Sequence, residues 1–389
     1  MMMKKRENSF LSTVKQYDFL LIAAVLALTV YGIICISSAA AYHGTNRNVM
    51  VQLFGAVLGF AGMIVISLID YGVLLKKLWI PIFIIGLGLL TLPLFESLPS
   101  MLRGNFGSNK NWITLPVINV DFQPSEFVKL TFIMSFGYLL GRLKEDTNKL
   151  KSVLLILLFS GSTIAFVMLE KDLGAAIVFV FIFISMWFAA KMSLWYLLGG
   201  LATFAVAAPF LWGFLEDYQK KRILIGFDPW SDPTDTGYQV IQTIRAMQNG
   251  GVFGMGYGKG TLTHAASKSV FPARETDMIL GVMGEEFGFV GIIIYVLLIS
   301  LVIFGILRTA RRARYEHGTY ICVGIAALFI FQTVENIGMC LGVLPVIGLT
   351  LPFISYGGSS ILSLYLCIGV VLSVRTHQQK YYFEREFIQ

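Results

Sequence analysis

The chain has 389 residues, of which 56% are hydrophobic and 14% are charged. A soluble domain carries roughly 25% charged residues, so this composition excludes a soluble protein and indicates a membrane protein. The net charge of +7 does not indicate nucleic-acid binding, because the basic residues lie in short clusters between apolar stretches. A β-barrel is excluded as well, because its strands would be short segments of alternating polarity.

The apolar stretches are long enough to cross a bilayer as helices, which requires about 20 residues each. We predict an all-α polytopic membrane protein with about ten transmembrane helices in one integral membrane domain, 1–389. The predicted spans are 17–37, 50–69, 77–95, 124–141, 152–169, 172–190, 193–214, 276–307, 318–341 and 350–374. The eighth span is longer than a bilayer requires, so it is expected to be tilted, kinked or partly outside the membrane.

The orientation follows from the basic residues, which are concentrated in alternate connecting segments. These segments hold Lys4, Lys5, Arg6, Lys15, Lys76, Lys77, Arg142, Lys144, Lys149, Lys151, Lys191, Arg308, Arg311, Arg312, Arg314, Arg375, Lys380 and Arg385. The asymmetry places both termini in the cytoplasm. Segments 96–123 and 215–275 then become long outer loops, the second a large extracytoplasmic loop between spans 7 and 8, and long loops commonly carry function.

Asp277 lies where the second outer loop enters the eighth span, with Arg274 close by. Pro272 and Thr276 precede it, and the helix dipole favours an acid in the first helical turn, so a capping role is one interpretation. An acidic residue at the edge of a membrane is costly, however, and such residues are usually functional. We therefore favour a functional role for Asp277 over a capping role.

Two further acids, Glu285 and Glu286, follow in the same span. A spacing of four residues places Asp277, Gly281 and Glu285 on one helical face, and the glycines on that face leave room for a ligand or a neighbouring helix. We predict that Glu285 and Glu286 support the site through packing or through a buried ion pair.

Charged residues also open the fourth span. Glu126 and Lys129 are three residues apart, so they can pair on one helical face. A lysine inside an apolar span needs such a partner. A self-satisfied structural pair and a functional pair are both open interpretations.

Polar residues in two other spans point to a cavity. Asp172, at the start of the sixth span, can cap that helix or contribute with Asp277 to an acidic cavity that faces outward. In the tenth span, the sequence Pro352–Ser360 combines helix-breaking and hydroxyl residues, including Ser355 and Tyr356. Such residues at membrane depth indicate non-helical backbone that lines a polar cavity.

Two further features bear on that cavity. Glu335 and Asn336 in the ninth span are polar groups that are expected to face inward. The glycine-rich stretch Gly250–Gly260 is a weak phosphate-binding motif, because it lacks the flanking strand and helix of a nucleotide site. A turn-forming loop is the better interpretation, although its backbone N–H groups could hold a diphosphate.

Taken in order, these motifs resemble the SEDS family, the RodA, FtsW and SpoVE proteins of bacterial shape, elongation, division and sporulation. The resemblance covers almost the whole chain and includes Lys110–Ile113, Gln123–Lys129, Asp172–Gly174, Gly237–Gln239, Gly250–Gly260, Thr276–Gly288 and Pro352–Ser360. The chain departs from the family pattern at Lys171, Ala273, Glu275, Met278 and Leu280.

The resemblance implies a peptidoglycan glycosyltransferase of the bacterial cytoplasmic membrane, which polymerises lipid II into glycan on the outer face and releases undecaprenyl diphosphate. It also implies a class B penicillin-binding protein as transpeptidase partner, within a larger elongation or division complex of membrane proteins, and no nucleic acid. The essential acid of the family maps onto Asp277. The motif positions Trp112, Gln239, Ser355 and Tyr356 are carried over as substrate-binding residues.

As a mechanism, we expect Asp277 to act as a general base that takes the proton of a sugar hydroxyl while its oxygen attacks an anomeric carbon. Attack opposite the leaving group inverts the donor. The departing diphosphate needs positive charge, and the candidate cations in the outer loops are Lys110, Arg222, Arg245 and Arg274. Mg²⁺ or Mn²⁺ between a carboxylate and the diphosphate is an open option, with no ligand set assigned, and no organic cofactor is expected.

Two alternatives belong to other classes of protein. A lipid II flippase would also use many spans with buried charges such as Glu126, Lys129 and Glu335. It should need acids in both leaflets, however, and the acids here cluster towards the outside. A structural scaffold for cell-wall enzymes would need no buried acids. Elongation, division and sporulation roles all remain open.

Overall fold

The computed structural model describes residues 16–41, 46–94, 111–115, 120–215, 220–221, 224–225, 228–234, 236–265, 267 and 269–378. In chain order its helices are α1 (Phe19–Ala40), α2 (Arg47–Leu68), α3 (Tyr71–Thr91), α4 (Pro124–Arg142), α5 (Leu150–Leu169), α6 (Leu173–Ala189), α7 (Leu194–Phe214), α8 (Thr236–Gly250), α9 (Ile279–Arg311), α10 (Glu316–Cys340) and α11 (Gly358–Thr376). A two-stranded antiparallel sheet, β1 (Ile113–Leu115) and β2 (Val120–Phe122), precedes α4.

The helices confirm an all-α polytopic membrane protein. Each predicted span overlaps one of the helices α1–α7 and α9–α11. Seven of the described helices are long and apolar enough to cross a membrane, namely α1, α2, α3, α5, α9, α10 and α11. With 17 residues α6 is shorter, and α4 carries Glu126 and Lys129 near its start. The number of ten spans therefore stays a prediction.

Within the second outer segment, the structure contains a helix where the sequence analysis predicted a loop. The helix α8 runs from Thr236 to Gly250 and packs on α9. Its Val240 and Ala246 are buried, whereas Arg245 on the other face is exposed. The segment 215–275 is therefore partly a structured cover on the bundle, and this amphipathic helix was missed because its apolar face is short.

Aspartate side chains begin three of the helices. Asp18 Oδ1 accepts a hydrogen bond from Leu21 N at 3.3 Å at the start of α1. Asp70 Oδ1 accepts from Gly72 N at 2.9 Å, and Asp172 Oδ1 accepts from Ala175 N at 2.9 Å. Each bond satisfies a backbone N–H group that has no partner within its helix. The predicted capping role of Asp172 is confirmed.

The last helix, α11, lies at the centre of the bundle, and small residues let α2 approach it closely. An added Cβ at Gly59 would lie 2.9 Å from Tyr365 Cβ, and one at Gly369 would lie 2.9 Å from Met63 Cα. Helices in a bilayer associate through such close packing, because lipid offers no hydrophobic force between them. The contact fixes the non-helical segment before α11, which forms part of the site.

The long helix α9 is interrupted inside the bundle. Gly288 has φ 67° and ψ −166°, a conformation that is essentially restricted to glycine. The length of the eighth span left a tilt, a kink or a part outside the membrane open, and the structure shows a break in the helix at Gly288. The interruption would leave backbone groups without partners, and in a membrane each such group costs several kcal/mol.

The loop that follows α8 supplies those partners. It donates to two carbonyl groups before the interruption and accepts from two N–H groups after it. The bonds join Met255 N to Glu285 O and Gly256 N to Glu286 O, both at 2.9 Å, then Phe289 N to Gly251 O at 2.9 Å and Val290 N to Val252 O at 3.1 Å. The interrupted helix and the glycine-rich loop therefore form one structural unit.

The helix α7 stands apart from the rest of the bundle. Its Trp195 and Phe210 side chains are 81% and 73% exposed. Near its start, Tyr196 donates a hydrogen bond to Asn148 O at 3.1 Å and packs edge-on against Trp187. An apolar helix with this exposure needs lipid around it, which agrees with a membrane location.

Candidate active site

Asp277 lies in the turn that precedes α9, at the end of the bundle predicted to face outward. The backbone carbonyl groups before it are held by the segment that leads into α11. Glu275 O accepts a hydrogen bond from Tyr356 N at 2.8 Å, and Thr276 O accepts from Ser355 Oγ at 2.7 Å. The backbone of Asp277 is therefore fixed by residues nearly eighty positions further along the chain, while its side chain is half-buried.

The carbonyl group of Asp277 itself is held by a side chain of α10. Asn336 Nδ2 donates to Asp277 O at 2.8 Å and to Leu349 O at 2.7 Å. Asn336 is fully buried, so the two bonds satisfy both protons of its amide nitrogen. The prediction that Asn336 faces inward is confirmed, and its amide joins the turn at Asp277 to the segment before α11.

The carboxylate of Asp277 lies close to Gly348 and Glu335. A Cβ added to Gly348 would lie 3.3 Å from Asp277 Oδ2. Glu335 is 3% exposed on α10, and its carboxylate is near enough to Asp277 for the two charges to interact. The predicted inward orientation of Glu335 is thereby confirmed.

The helical placement predicted for Asp277 is wrong. The helix α9 begins at Ile279, and its N-cap is Met278, which makes no side-chain capping bond. Asp277 therefore does not share a helical face with Gly281 and Glu285. The reason is that the backbone carbonyl groups around Asp277 bond to distant residues instead of continuing a helical ladder.

Glu285 is a buried anchor for the residues on both sides of the glycine-rich loop. Its carboxylate accepts hydrogen bonds from the backbone N–H groups of Leu262 at 2.9 Å and Thr263 at 2.8 Å. It also accepts from Thr263 Oγ1 at 2.7 Å, Thr261 Oγ1 at 3.1 Å and Asn249 Nδ2 at 3.3 Å. The sequence predicted support through packing or a buried ion pair, whereas these contacts are hydrogen bonds from neutral donors.

Glu286 has a similar role on the other side of the helix. Its Oε1 accepts from Ser38 Oγ at 2.5 Å and from Gly258 N at 3.2 Å, and it lies 3.0 Å from His264 Nε2. The backbone N–H groups of Met255 and Gly256 are also committed to α9. These bonds favour the turn-forming interpretation of Gly250–Gly260 over a phosphate site.

The predicted ion pair in α4 is confirmed. Lys129 Nζ lies 2.7 Å from Glu126 Oε1, and both side chains are buried. Ser363 Oγ on α11 donates to Glu126 Oε2 at 3.4 Å. The pair thus joins α4 to the central helix within the interior of the bundle.

Asp172 combines its capping role with contacts to the first outer segment. Its Oδ2 accepts hydrogen bonds from Asn111 Nδ2 at 2.9 Å and from Gln123 Nε2 at 3.2 Å. Trp112 follows Asn111 and is half-buried, at the start of the strand pair. The sixth helix and the segment before α4 are therefore joined at the outer end.

Glu170 lies two residues before Asp172 and is fully buried. Neither of its carboxylate oxygens has a hydrogen-bond partner in the part of the chain that the structure describes. Burial, with a smaller contribution from the charge of Asp172, raises the pKa of Glu170 to about 9. Glu170 is thus a neutral acid at physiological pH, a feature that sequence analysis did not notice.

The predicted cations have different surroundings. Lys110 and Arg222 lie outside the described residues. Arg274 is 1% exposed and donates from Nη1 to Leu262 O at 3.4 Å, so it faces the glycine-rich loop. Arg245 is exposed on α8, and Gln239 on the same helix is half-buried. Arg274 and Arg245 therefore lie in different environments, one buried and one exposed.

Sequence analysis missed three residues of α2 that border the site. Gln52 is 1% exposed; its Nε2 donates to Ser355 O at 3.2 Å, and its Oε1 accepts from Gly357 N at 3.0 Å. Asn48 Nδ2 donates to the carboxylate of Glu275. Polar residues in an otherwise apolar span were the available signal.

Arg47, the third of these residues, affects Tyr356 electrostatically. The positive charge of Arg47 lies near enough to interact with the Tyr356 hydroxyl. Asp121 and Glu275 act on the same hydroxyl with the opposite sign. Tyr356 therefore stands among both cationic and anionic groups at the outer end of the bundle.

The described residues do not form a ligand set for a bound metal ion. Among those residues, no group of three or more histidine, cysteine, aspartate or glutamate side chains is placed to hold a metal ion. Both carboxylate oxygens of Glu285 already accept hydrogen bonds, which further reduces the available oxygen ligands. The residues present therefore do not fit a protein-only metal cage.

Fold and site together define a multi-pass membrane protein with a half-buried acid at one end of a helical bundle. The chain belongs to the FtsW, RodA and SpoVE family, because the sequence model of that family, described as cell cycle protein, matches residues 18–380. It is accordingly a protein of the cytoplasmic membrane and a glycosyltransferase.

Two curated relatives illustrate the similarity. A probable peptidoglycan glycosyltransferase FtsW of Geobacter sp. (strain M18) is 34% identical over 375 residues, covering 94% of this chain and 98% of the relative. The peptidoglycan glycosyltransferase MrdB of Escherichia coli (strain K12) is 32% identical over 367 residues, covering 93% and 94%. Both alignments extend over nearly the full length of each protein.

Solved structures share the fold. A chain from a peptidoglycan synthase complex, studied for its coordination of polymerization and crosslinking, has a TM-score of 0.78 at 27% identity and covers 94% of this chain and 99% of its own. The rod shape determining protein RodA of Thermus thermophilus has a TM-score of 0.68 at 24% identity and covers 94% and 98%.

Proposed function

We propose that this protein polymerises lipid II into glycan strands on the outer face of the cytoplasmic membrane, with Asp277 as the general base. Family membership and the names of the relatives support a peptidoglycan glycosyltransferase. The observation that carries the assignment of the base is the geometry around Asp277. Its backbone is held by Asn336 and by the bond from Ser355 to Thr276, while its carboxylate stays partly accessible.

The chemistry requires a base at this place. A sugar hydroxyl is a weak nucleophile at neutral pH, and a positioned carboxylate that accepts its proton contributes typically 10²–10⁴-fold to the rate. The hydroxyl oxygen forms a bond to the anomeric carbon of the donor while the bond to the lipid diphosphate breaks. The proton goes to Asp277, and the leaving group departs as undecaprenyl diphosphate. Attack from the opposite side inverts the α-linked donor to a β-link.

The leaving diphosphate needs positive charge around it. The candidates are Lys110, Arg222, Arg245 and Arg274, together with Arg47, whose exposed side chain acts on Tyr356. A divalent cation, if used, would have to share its ligands with the diphosphate, because the described acids form no cage of their own.

The remaining predicted residues have supporting roles in this proposal. Asp172 and Trp112 border the outer segment before α4, and Ser355 and Tyr356 hold the turn at Asp277. Gln239 lies on the covering helix α8. We propose substrate contacts for Trp112, Gln239, Ser355 and Tyr356, and a class B penicillin-binding protein as transpeptidase partner. The similarity to a chain of a peptidoglycan synthase complex supports such a partner.

The experiment is glycan synthesis by the purified protein, with its partner, from lipid II. We expect Asp277→Asn to reduce the rate by at least about 10²-fold, in line with the loss of a general base. Asp70→Asn is the matched control, because Asp70 caps α3 at the opposite membrane side. An Asp277→Asn variant that polymerises at the normal rate would refute the assignment of the base.

A lipid II flippase is the second candidate. The interrupted helix α9 and the buried pair of Glu126 and Lys129 are features that transporters also use. The half-buried acid at the outer end favours the enzyme instead. Liposomes with lipid II separate the two functions, because glycan formation and translocation of the lipid are measured independently.

A further inference from the structure

The segment Ile347–Leu349, which we call the spacer, lies between Asp277 and the start of the helix that Asp172 caps. At Gly348, an added Cβ would lie 3.3 Å from Asp277 Oδ2. At Ile347, the carbonyl oxygen lies 2.6 Å from the Cβ that would be added to Gly174, in the first turn of the helix capped by Asp172. The spacer therefore links the position of one acid to that of the other.

The spacer is not able to retreat from Asp277. Leu349 O and Asp277 O accept hydrogen bonds from the same amide nitrogen, Asn336 Nδ2. Two residues further on, Leu351 N donates to Ser355 Oγ at 2.8 Å, and the same hydroxyl bonds to the turn at Asp277. The backbone is thus held on the two sides of the contact, at Asp277 and at Leu349.

Gly348 itself has φ +74°, in the left-handed region that favours glycine. A residue with a side chain here would meet Asp277 Oδ2 closer than an ordinary van der Waals contact. Because the backbone is fixed, the carboxylate would have to shift by a few tenths of an ångström.

We propose that Gly348 is a positioning residue for Asp277, whose missing side chain sets where the carboxylate rests. The inference rests on the proposed function, in which that carboxylate must align with the acceptor hydroxyl. A misplacement of about 1 Å in an active site reduces the rate by roughly 10²-fold, so a smaller shift corresponds to about tenfold. The effect belongs to the chemical step and not to substrate affinity.

Gly342 provides a matched control in the same loop. It has φ +72°, so Gly342→Ala carries the same left-handed backbone strain as Gly348→Ala. The neighbours of an added Cβ at Gly342 are Pro229, Val240 and Ile244, none of which is an acid. A difference between the two variants therefore reports on the contact with Asp277 and not on the backbone.

The test compares Gly348→Ala and Gly342→Ala in the full-length protein with its partner, using lipid II polymerisation and thermal unfolding. We expect similar losses of Tm, a kcat about tenfold lower for Gly348→Ala alone, and KM within about twofold of the original for both. If Gly348→Ala does not fold, Gly348→Asn replaces it, because asparagine tolerates positive φ and carries the same Cβ.

Equal kcat values for the two variants, or a change confined to KM, would overturn the inference. Asp277→Asn, measured in parallel, separates this outcome from failure of the proposed function. If Asp277→Asn is inactive and Gly348→Ala behaves like Gly342→Ala, only the role of Gly348 is wrong. If Asp277→Asn polymerises normally, the base assignment itself fails.

Discussion

Asn336 holds the backbone of Asp277 from a helix that is 59 residues away in sequence, through a bond of 2.8 Å from its side-chain amide. The same amide nitrogen holds Leu349 O at 2.7 Å. One buried side chain thus connects the turn that carries the proposed base to the segment that borders its carboxylate. The site depends on this long-range bond as much as on the acid.

Asn336→Ala should therefore reduce activity by more than the accompanying loss of stability would explain. It leaves two carbonyl groups without their donor, at a cost of about 1–3 kcal/mol for each that is buried, and it frees the turn at Asp277. We expect kcat for polymerisation to fall at least about tenfold. Thr333→Ala is the control, since Thr333 lies one turn away on α10 and its hydroxyl bonds to Tyr295 on α9. Normal kcat in Asn336→Ala would contradict this prediction.

Gly288→Ala should abolish the native arrangement of α9 and the glycine-rich loop. A Cβ there would lie 2.3 Å from Gly254 N, and the conformation at φ 67° and ψ −166° is closed to alanine. We expect a loss of at least about 3 kcal/mol in the free energy of unfolding, measured in detergent. The control is Gly161→Ala, where an added Cβ meets nothing within 4 Å and alanine favours the helix. Equal stability of the two variants would refute the prediction.

The predictions that succeeded rest on local rules. Apolar length located the helices, and the spacing of Glu126 and Lys129 identified a pair that the structure places 2.7 Å apart. The cost of an unpaired charge in a membrane makes such a spacing informative. The excess length of the eighth span predicted a tilt, a kink or a part outside the membrane, and the structure shows a break at Gly288.

The predictions that failed concern residues whose contacts are distant in sequence, and no local pattern contains such contacts. Asp277 was assigned to a helix because its sequence fits a helix start. In the structure, however, the carbonyl group of Thr276 accepts a hydrogen bond from Ser355, which lies 79 residues after Thr276. Glu285 could have been an ion-pair partner or a hydrogen-bond acceptor, and only the folded position of the loop decides this. Gln52 was overlooked because its two partners lie more than 300 residues away.

Glu126→Gln should destabilise the protein, and a second substitution should restore much of the loss. Removing one member of a buried pair leaves Lys129 as an uncompensated charge, at a cost of about 3–5 kcal/mol. We expect the double variant with Lys129→Met to recover most of that stability in thermal unfolding. If Glu126 also contacts substrate, the recovered variant stays inactive, which separates the two interpretations left open by the sequence.

The exposed pair of Asp146 and Lys149 provides the control for that experiment. Its two charges also lie 2.7 Å apart, but the side chains are 51% and 70% exposed. Asp146→Asn should change the free energy of unfolding by less than about 1 kcal/mol, because solvent screens an exposed pair. A loss as large as that of Glu126→Gln would show that burial does not govern the cost.

Glu170→Gln should stabilise the protein by an amount that grows with pH. Burial raises the pKa of Glu170 from 4.5 to about 9, so between these values the folded protein keeps a proton that the unfolded chain has lost. Stability from this group is therefore complete below pH 4.5 and is lost as pH rises towards 9, by at most about 1.4 kcal/mol per pH unit. Glutamine resembles the neutral acid and has no such dependence.

Thermal unfolding at about pH 5.5 and pH 8.5 should show that the Tm of the variant exceeds that of the original protein by more at the higher pH. The exposed control Glu145→Gln should show no such difference. An advantage that is equal at both pH values would mean that Glu170 does not carry its proton in the folded state.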